Sequence, residues 1–417
     1  MIRMRYAARK VAFISSFPPR RCGIATFTSD LIKNLALAAG HHLDPVVIAM
    51  QPPAELTYDN IVKLRIRKDV AHDYPAAADY INRSDIDLVS VQHEFGLFGG
   101  EAGSYLTLLL DRVKKPIITT LHTVLETPSP EYFDSMIDLC RASNKLIVMN
   151  KRGIGMLQDI YGVPEQKIEL IPHGIPDLPF VNSNDCKHSL GLAGRKTILT
   201  FGLLGRNKGI EVMLKALPRI VEADPSVLYI VLGATHPEVL RHEGQSYKVK
   251  LEEMVRALRL HQNVLFYNRF VEDKELFQFL CATDVYVTPY LHREQLTSGT
   301  LAFAVGTGKA VVSTPYWAAE ELLAQGRGRL VQFGDSESMA QAVVEILTRN
   351  TLFSIMRKRA YEYGRSMTWP TVGQSYWRLF ETVTRDAIIP AGAAAIAPGC
   401  KLPDYSSRQA YQPAPAV

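Results

Sequence analysis

Two glycine-containing segments carry the residue types expected of a phosphate-binding site. In one of them, the polar run Gln295 to Thr300 comes directly before the apolar run Leu301 to Val305, which predicts the start of a helix. Free backbone N–H groups beside the positive end of a helix dipole form a ready anion site. We therefore predict that Ser298, Gly299 and Thr300 hold the phosphates of a phosphorylated ligand.

The other segment is Phe201 to Glu211, FGLLGRNKGIE, which joins a predicted strand to a predicted helix through glycines. Arg206 and Lys208 lie on the turn. The planar guanidinium of an arginine can donate two hydrogen bonds to a diphosphate, and the ammonium group of a lysine interacts with it as a point charge. This pair of residues therefore suits a diphosphate. Taken alone, the segment is equally consistent with a glycine turn that carries two solvated charges.

Polar side chains also follow two predicted strands of the N-terminal half. His122 comes after the predicted strand that ends at residue 121, and His93 and Glu94 come after the predicted strand that ends at residue 92. Because ligands bind at the carboxyl edge of a parallel sheet, these side chains are candidate ligand contacts. We expect the His122 imidazole to donate a hydrogen bond to a ligand hydroxyl. A purely structural role stays open for each residue.

The elements that must position these residues alternate along the chain. Strands are predicted at 10–16, 45–49, 87–92, 116–121, 145–149 and 168–171, and again at 196–201, 227–232, 264–267, 285–288 and 310–313. Helices are predicted at 26–38, 104–112, 210–223 and 370–384. This βαβ rhythm predicts α/β architecture, with parallel sheets covered by helices on both faces.

The rhythm stops and restarts once, which predicts two doubly wound domains with a cleft between them. The first domain spans 1–175 and the second spans 196–369. The stretch 176–195, rich in Pro, Asn and Gly, has the composition of a linker. The Ala/Pro-rich stretch 391–417 has no periodicity and is predicted to be disordered.

Composition excludes several classes of protein. A net charge of +5 with no Lys/Arg block disfavours nucleic-acid binding. Five cysteines without CxxC spacing predict reduced thiols and a cytoplasmic location rather than a zinc site or a disulfide framework. No uncharged stretch approaches the ~18 residues needed to cross a bilayer, so we expect a soluble chain with peripheral membrane contact at most.

Four motifs, in order, resemble those of the family 4 glycosyltransferases, which have the two-domain GT-B fold. Phe201 to Glu211 resembles the donor segment of that family, and Ile171 to Ile175 (IPHGI) resembles its linker motif. Ala282 to Pro289 (ATDVYVTP) and Gly308 to Ser313 (GKAVVS) resemble two of its strands. The helix after Trp369 resembles the family's terminal helix, about 370–385, which returns to the N-terminal domain. The resemblance covers about residues 11–384.

The resemblance implies an activity and roles for residues. It implies a retaining hexosyltransferase that transfers mannose or glucose from a nucleotide-diphosphate sugar to a saccharide or lipid-linked acceptor. It also implies that the reaction needs no metal ion or other cofactor. His122 would face the donor sugar, and Arg206 and Lys208 would act on the leaving phosphate. Gly23, in the glycine loop FPPRRCGIATFT, would let backbone approach the donor. His93 and Glu94 would lie on the acceptor side.

The sequence departs from the family pattern at two places. Leu203 stands where the family has its donor arginine, and the family's Glu-x7-Glu pair falls on Gln295 and Phe303. Glu294, Gln295 and Glu320 are the candidates to replace those carboxylates in donor binding. Two alternatives stay open: a related epimerase or phosphorylase, and a catalytically degenerate GT-B protein that binds glycans or serves as a scaffold.

Overall fold

The computed structural model describes residues 9–235 and 237–388. The chain forms two compact units. The first unit comprises residues up to Gly174 together with those from Trp369 onwards, and the second unit comprises Ile175–Thr368. The tail at 391–417, predicted to be disordered, lies outside the described residues.

The first unit contains a seven-stranded parallel sheet with the order β3-β2-β1-β4-β5-β6-β7. Its strands are β1 (Arg9–Ser15), β2 (Leu43–Gln51), β3 (Val62–Arg67), β4 (Leu88–His93), β5 (Ile117–Leu121), β6 (Lys145–Val148) and β7 (Ile168–Leu170). Its helices in this part of the chain are α1 (Gly23–Ala39), α2 (Asp73–Arg83), α3 (Tyr105–Leu110), α4 (Pro130–Ala142) and α5 (Lys151–Asp159).

The second unit contains a six-stranded parallel sheet with the order β10-β9-β8-β11-β12-β13. Its strands are β8 (Lys196–Phe201), β9 (Val227–Leu232), β10 (Val264–Tyr267), β11 (Val285–Thr288), β12 (Ala310–Ser313) and β13 (Arg329–Leu330). Its helices are α6 (Ser183–Lys187), α7 (Ile210–Ala223), α8 (Pro237–Glu243), α9 (Ser246–Ala257), α10 (Asp273–Ala282), α11 (Gly299–Gly306), α12 (Trp317–Leu322), α13 (Ser336–Thr348) and α14 (Asn350–Gly364).

The last helix, α15 (Trp369–Ile388), belongs to the first unit and packs on α1. The two helices touch closely at Gly373, where an added Cβ would lie 2.7 Å from the Asn34 carbonyl oxygen. Helix α1 buries Phe27, Leu31 and Leu35, and this spacing of four residues lines one helix face. The apolar periodicity of the sequence therefore sets this contact.

The parallel sheets of both predicted domains are confirmed, and the central strands are buried on both faces as such sheets require. Two strands were not predicted. β3 reads VKLRIR and alternates exposed with more buried residues at one edge of its sheet, and β13 has only two residues. Edge strands carry polar side chains, so their hydrophobic signal is weak.

The stretch 176–195, predicted as a linker, differs from that expectation because it belongs to the second unit and contains α6. Lys187 of α6 forms a buried ion pair with Asp284, with Nζ 2.6 Å from Oδ2. Asp284 also accepts a 2.8 Å hydrogen bond from the N–H of Thr197 at the start of β8. The composition indicated turns, but the partner that holds the segment is distant in sequence.

Candidate active site

The turn after β8 is fixed against the segment that follows β11. Gly209 has φ +61°, and a Cβ there would lie 1.9 Å from the carbonyl oxygen of Pro289. Only glycine fits such a backbone conformation and so close an approach. The N–H of Leu291 donates to the Asn207 carbonyl over 3.1 Å. These two contacts hold the backbone of Lys208 in place, and the Lys208 side chain is buried.

A chain of polar contacts runs from Lys208 to the start of α11. Lys208 Nζ donates to the Tyr290 hydroxyl over 3.0 Å and lies 4.2 Å from the centre of that ring. The Tyr290 hydroxyl is 3.1 Å from Thr300 Oγ1. The Tyr290 ring stacks on Tyr316 with 5.0 Å between centroids. These contacts bring the two predicted phosphate segments together.

Helix α11 begins at this point with an ordinary polar cap. Ser298 is the N-cap residue, and its Oγ accepts from the N–H of Leu301 over 3.4 Å. The N–H groups of Gly299 and Thr300 lie in the first turn, where a helix offers no acceptor. Gly202 of the β8 turn lies beside them, since a Cβ there would be 3.2 Å from Thr300 Cγ2.

The arrangement combines one ammonium group, several hydroxyl groups and the N–H groups of a helix start. Each of these is a hydrogen-bond donor, and together they favour a ligand with several negatively charged oxygens. A phosphate or diphosphate is such a ligand. The same donors would stabilise negative charge that develops on a departing phosphate.

Other predicted donor residues are engaged elsewhere in the second unit. The exposed Arg206 pairs with Glu243 over 2.7 Å, and this carboxylate raises the pKa of Arg206. Glu320 lies 3.3 Å from Arg293. The side-chain amide of Gln295 donates to the Thr297 carbonyl over 3.1 Å, and Glu294 is half-buried on the same loop.

The place where the family pattern would have its second glutamate is apolar. The Phe303 ring lies 6.5 Å from the rings of both Phe201 and Phe277, measured between centroids. Phe303 packs against the hydrophobic core of the second unit. It therefore acts as a packing residue and offers no polar atom to a ligand.

Sequence reasoning missed the two tyrosines that link this site. Tyr290 and Tyr316 each follow a proline, Pro289 and Pro315, shortly after a strand ends. This repeated Pro-Tyr pair after β11 and β12 was a signal in the sequence. Because neighbouring parallel strands end at the same edge of a sheet, it places the two rings side by side.

In the first unit, His122 lies at the carboxyl end of β5. Its Nε2 is 3.0 Å from Gln92 Oε1, while the Gln92 amide donates to Thr120 Oγ1 over 3.5 Å. This network assigns the ring proton to Nε2 and leaves Nδ1 as an acceptor. Desolvation, with smaller effects of His173 and His93, lowers the pKa of His122 to about 3. Because Gln92 occupies the Nε2 proton, Nδ1 of the neutral ring would accept from a ligand hydroxyl; the contact of His122 with a donor sugar stays a prediction.

The predicted acceptor-side pair separates into one accessible and one buried residue. His93 is 1% exposed and packs between aromatic rings, 5.9 Å from Phe98 and 4.9 Å from Phe95. His93 is therefore enclosed, and its buried Nδ1 has no hydrogen-bond partner among the described residues, so its contact with an acceptor stays a prediction. Glu94 is half-buried, accepts from Thr123 Oγ1 over 2.6 Å, and has a pKa raised by burial. Glu94 is therefore the more accessible of the two acceptor-side candidates.

Gly23 is the first residue of α1 and is exposed. An added Cβ would have no heavy atom within 4 Å. Packing within the described residues does not require glycine here, so its role as a place of ligand approach stays a prediction. The Nδ1 atom of His173 lies 2.7 Å from the carbonyl oxygen of Gly174, and its ring lies 5.0 Å from that of Phe27.

The described part of the chain contains neither a metal-binding cluster nor a membrane-spanning helix. There, no three His, Cys, Asp or Glu side chains lie close enough together to hold a metal ion. Between residues 9 and 388, leaving out residue 236, no helix combines the length and apolar character needed to cross a membrane. The metal independence of the reaction stays a prediction.

Two α/β units, each built on a parallel sheet, are the architecture of the GT-B class of glycosyltransferases. The family model "Glycosyltransferase Family 4" matches residues 22–177, and "Glycosyl transferases group 1" matches residues 195–349. The chain belongs to this glycosyltransferase family. It is therefore a transferase enzyme of carbohydrate biosynthesis.

Individual proteins agree with this assignment. The chain is 26% identical to a phosphatidyl-myo-inositol mannosyltransferase of Mycolicibacterium smegmatis over 316 residues, 73% of each chain. The sucrose-phosphate synthase of Thermosynechococcus elongatus shares the fold, with a TM-score of 0.72 at 17% identity over 91% of this chain and 100% of that one. An Anabaena protein solved with UDP and glucose has a TM-score of 0.67 at 17% identity, over 90% and 100% of the chains.

Proposed function

We propose that this glycosyltransferase retains anomeric configuration and moves a hexose, mannose or glucose, from a nucleotide-diphosphate sugar to a saccharide or lipid-linked acceptor. The observation that carries the donor class is the polar chain from Lys208 through Tyr290 to Thr300 at the start of α11. No metal ion or other cofactor is needed in this proposal. The residues already supply the positive charge and the donors that a diphosphate requires.

The proposed chemistry places charge stabilisation in the second unit. Sugar transfer builds negative charge on the leaving diphosphate as the bond to the anomeric carbon breaks. Lys208 and the N–H groups of Gly299 and Thr300 would stabilise that charge. With no covalent nucleophile named among the candidate residues, we propose that the acceptor hydroxyl attacks from the face that the diphosphate leaves and that its proton passes to the departing diphosphate oxygen.

The remaining donor contacts come from residues at the edges of the site. In the first unit, His122 Nδ1 would accept from a sugar hydroxyl, and exposed backbone at Gly23 would approach the donor. In the second unit, Glu294, Gln295 and Glu320 would take the place of the absent family glutamates. Glu320 would have to exchange Arg293 for a ligand hydroxyl, and Arg206 would have to exchange Glu243 for a phosphate.

The relatives support the substrate classes of this proposal. One relative is named a phosphatidyl-myo-inositol mannosyltransferase, and this name specifies a mannosyl group as the transferred sugar and a lipid as the acceptor. A neighbour in fold was solved with UDP and glucose. We also propose a cytoplasmic location with peripheral membrane contact at most. The four cysteines in the described residues are free, as a reducing compartment would keep them.

The test is a panel of nucleotide sugars, with turnover and melting temperature measured for each. At least one donor should raise the melting temperature and be hydrolysed or transferred. Lys208→Ala should then lower kcat/KM for that donor by at least ~100-fold, because it removes one charge-stabilising group. Analysis of the product by NMR should show the anomeric configuration of the donor.

Two further variants separate chemistry from folding. Lys215→Ala removes the same charge from an exposed position on α7 and should leave turnover unchanged. Tyr290→Phe keeps the packing against Tyr316 but removes the hydroxyl between Lys208 and Thr300, and it should lower turnover by ~10-fold. If no donor binds or turns over, the transfer proposal fails and the degenerate GT-B alternative is favoured.

A further inference from the structure

A buried chain of hydrogen bonds leads from His122 to the last helix of the first unit. Gln92 Oε1 lies 3.0 Å from His122 Nε2, and the Gln92 amide donates to Thr120 Oγ1 over 3.5 Å. The Thr120 hydroxyl in turn lies 3.0 Å from the hydroxyl of Tyr376 on α15, 256 positions further along the sequence. All four residues belong to the first unit. We call Gln92, Thr120 and Tyr376 the support chain of His122.

The support chain is enclosed by the protein. Gln92, Thr120 and Tyr376 each have no exposed surface. The Tyr376 ring belongs to the core of the first unit and meets the Phe380 ring edge-on, with centroids 6.1 Å apart. Burial raises the pKa of Tyr376, so the phenol keeps its proton. Because a buried polar group that loses its partner stays unsatisfied, these bonds hold their members in place.

The orientation of the Gln92 amide decides which nitrogen of His122 carries the ring proton. An amide has an oxygen on one side and an NH2 group on the other, and its two orientations have nearly the same shape. With the oxygen towards His122, the ring is protonated at Nε2 and Nδ1 is an acceptor. With the NH2 group towards His122, the proton must sit on Nδ1, which would then donate. The amide orientation therefore sets the direction of a hydrogen bond to a ligand.

Thr120 selects between these two orientations, and Tyr376 holds Thr120. The Thr120 oxygen has two lone pairs, so it can accept from the Gln92 amide while it shares a proton with the Tyr376 hydroxyl. A hydroxyl that turned freely would serve either orientation of the amide, and the bond to Tyr376 limits this freedom. The plane of the His122 ring is fixed separately by Phe27, whose ring meets it at 86° with centroids 5.0 Å apart.

We propose that Thr120 and Tyr376 are positioning residues for the transfer reaction. Together with Gln92 they hold His122 in the tautomer with the proton on Nε2, so that Nδ1 accepts from a hydroxyl of the donor sugar. This inference rests on the proposed function, because it deepens the contact between His122 and the donor. The support chain acts through His122 and not on the ligand itself. A side chain at the end of β5 thus depends on the last helix of the fold.

The first measurement is NMR of the full chain, without ligand, with histidine labelled at its ring nitrogens. The His122 signals are those that disappear in His122→Gln, and the native ring should be protonated at Nε2. Thr120→Val keeps the shape of the side chain but removes the hydroxyl. It should raise the ratio of the Nδ1–H to the Nε2–H form by ~3-fold to ~10-fold, because one selecting hydrogen bond is lost. Tyr376→Phe should shift the ratio in the same direction by a smaller factor.

The second measurement is donor turnover, and Thr120→Ser separates the hydroxyl from packing. Serine keeps the hydroxyl and loses a methyl group, whereas valine keeps the methyl groups and loses the hydroxyl. For a donor that the native chain turns over, Thr120→Val should lower kcat/KM by ~3-fold or more, while Thr120→Ser should stay within ~2-fold of native. A role in packing alone predicts the reverse order.

Two matched controls remove buried hydroxyls that lie outside the support chain. Thr119→Val changes the neighbouring residue of β5, which faces the other side of the sheet and bonds to Ser143 Oγ over 2.7 Å. Tyr74→Phe removes a buried phenol that donates to the Lys68 carbonyl over 2.8 Å. Both variants should keep the tautomer ratio of His122 and the donor kcat/KM within ~2-fold of native, since one lost hydrogen bond elsewhere acts on stability.

Three results would overturn the proposal. They are a native His122 protonated at Nδ1, an unchanged tautomer ratio in both Thr120→Val and Tyr376→Phe, and native kinetics in Thr120→Val together with impaired kinetics in Thr120→Ser. The tautomer is measured on the chain without ligand, whereas the proposed function is tested by donor turnover. Failure of either proposal is therefore visible without the other.

Discussion

Lowering the pH from 7 to 5 should destabilise the first unit through three histidines that fold in the neutral form. Desolvation lowers the pKa of His93 and of His122 to about 3 and that of His173 to about 4. In the unfolded chain each imidazole has a pKa near ~6.5. Below that value the unfolded chain binds protons that the folded chain excludes.

The sign and the size follow from proton linkage. The stabilisation is fully present above about pH 6.5 and is lost as the pH falls towards the folded values. Between pH 7 and 5, each histidine contributes a loss of about 2 kcal/mol, and the three together about 6 kcal/mol. Glu94, whose pKa is raised by burial, acts with the opposite sign and reduces the total. Ordinary domains are stable by about 5–15 kcal/mol, so the effect is large.

The assay is urea unfolding at pH 7, 6, 5.5 and 5, followed by tryptophan fluorescence. Trp369 and Trp377 report on the first unit, and Trp317 reports on the second. His93→Gln should flatten the pH dependence of the first-unit transition by about 2 kcal/mol over this range, whatever it does to stability at pH 7. His42→Gln, at an exposed position of the same unit, is the matched control and should not alter the slope.

An unchanged pH dependence of the unfolding free energy in His93→Gln would show that burial does not keep His93 neutral in the folded state. A first-unit transition that is equally stable at pH 7 and 5 would refute the reasoning for all three histidines. The second transition provides an internal comparison, since the three histidines lie outside that unit.

Two further predictions concern the second unit. Gly209→Ala should destabilise it by about 2 kcal/mol or more and lower donor turnover, because the added Cβ would lie 1.9 Å from the Pro289 carbonyl oxygen at φ +61°. Urea unfolding and donor kinetics check this, with Gly205→Ala, where the nearest atom is 3.5 Å from the Cβ, as control. Lys187→Met should cost about 3–5 kcal/mol because it leaves Asp284 buried without its cation. Recovery of much of that loss in the double variant Lys187→Met/Asp284→Leu would support the pair, and equal loss in both would contradict it.

Much of the fold was readable from the sequence because buried parallel strands are continuous apolar runs. Strands β8 to β12 begin and end where the apolar runs predicted, and helix α7 matches its predicted range. The edge strands β3 and β13 escaped prediction because half-exposed strands lack such runs. The segment 176–195 was predicted to be a linker from its composition. Composition could not reveal the ion pair between Lys187 and Asp284, because Asp284 is distant in sequence.

For the candidate site, the sequence determined the residue types: a lysine on a glycine turn, hydroxyl groups at a helix start and a histidine at a strand end. Only the tertiary structure decided which of them meet. It places Lys208 on Tyr290, next to Thr300, and leaves Arg206 with Glu243. It also decides that His93 is enclosed while Glu94 is accessible. The physical reason is that periodicity fixes which face a residue occupies, whereas side-chain partners and desolvation depend on elements far away in sequence.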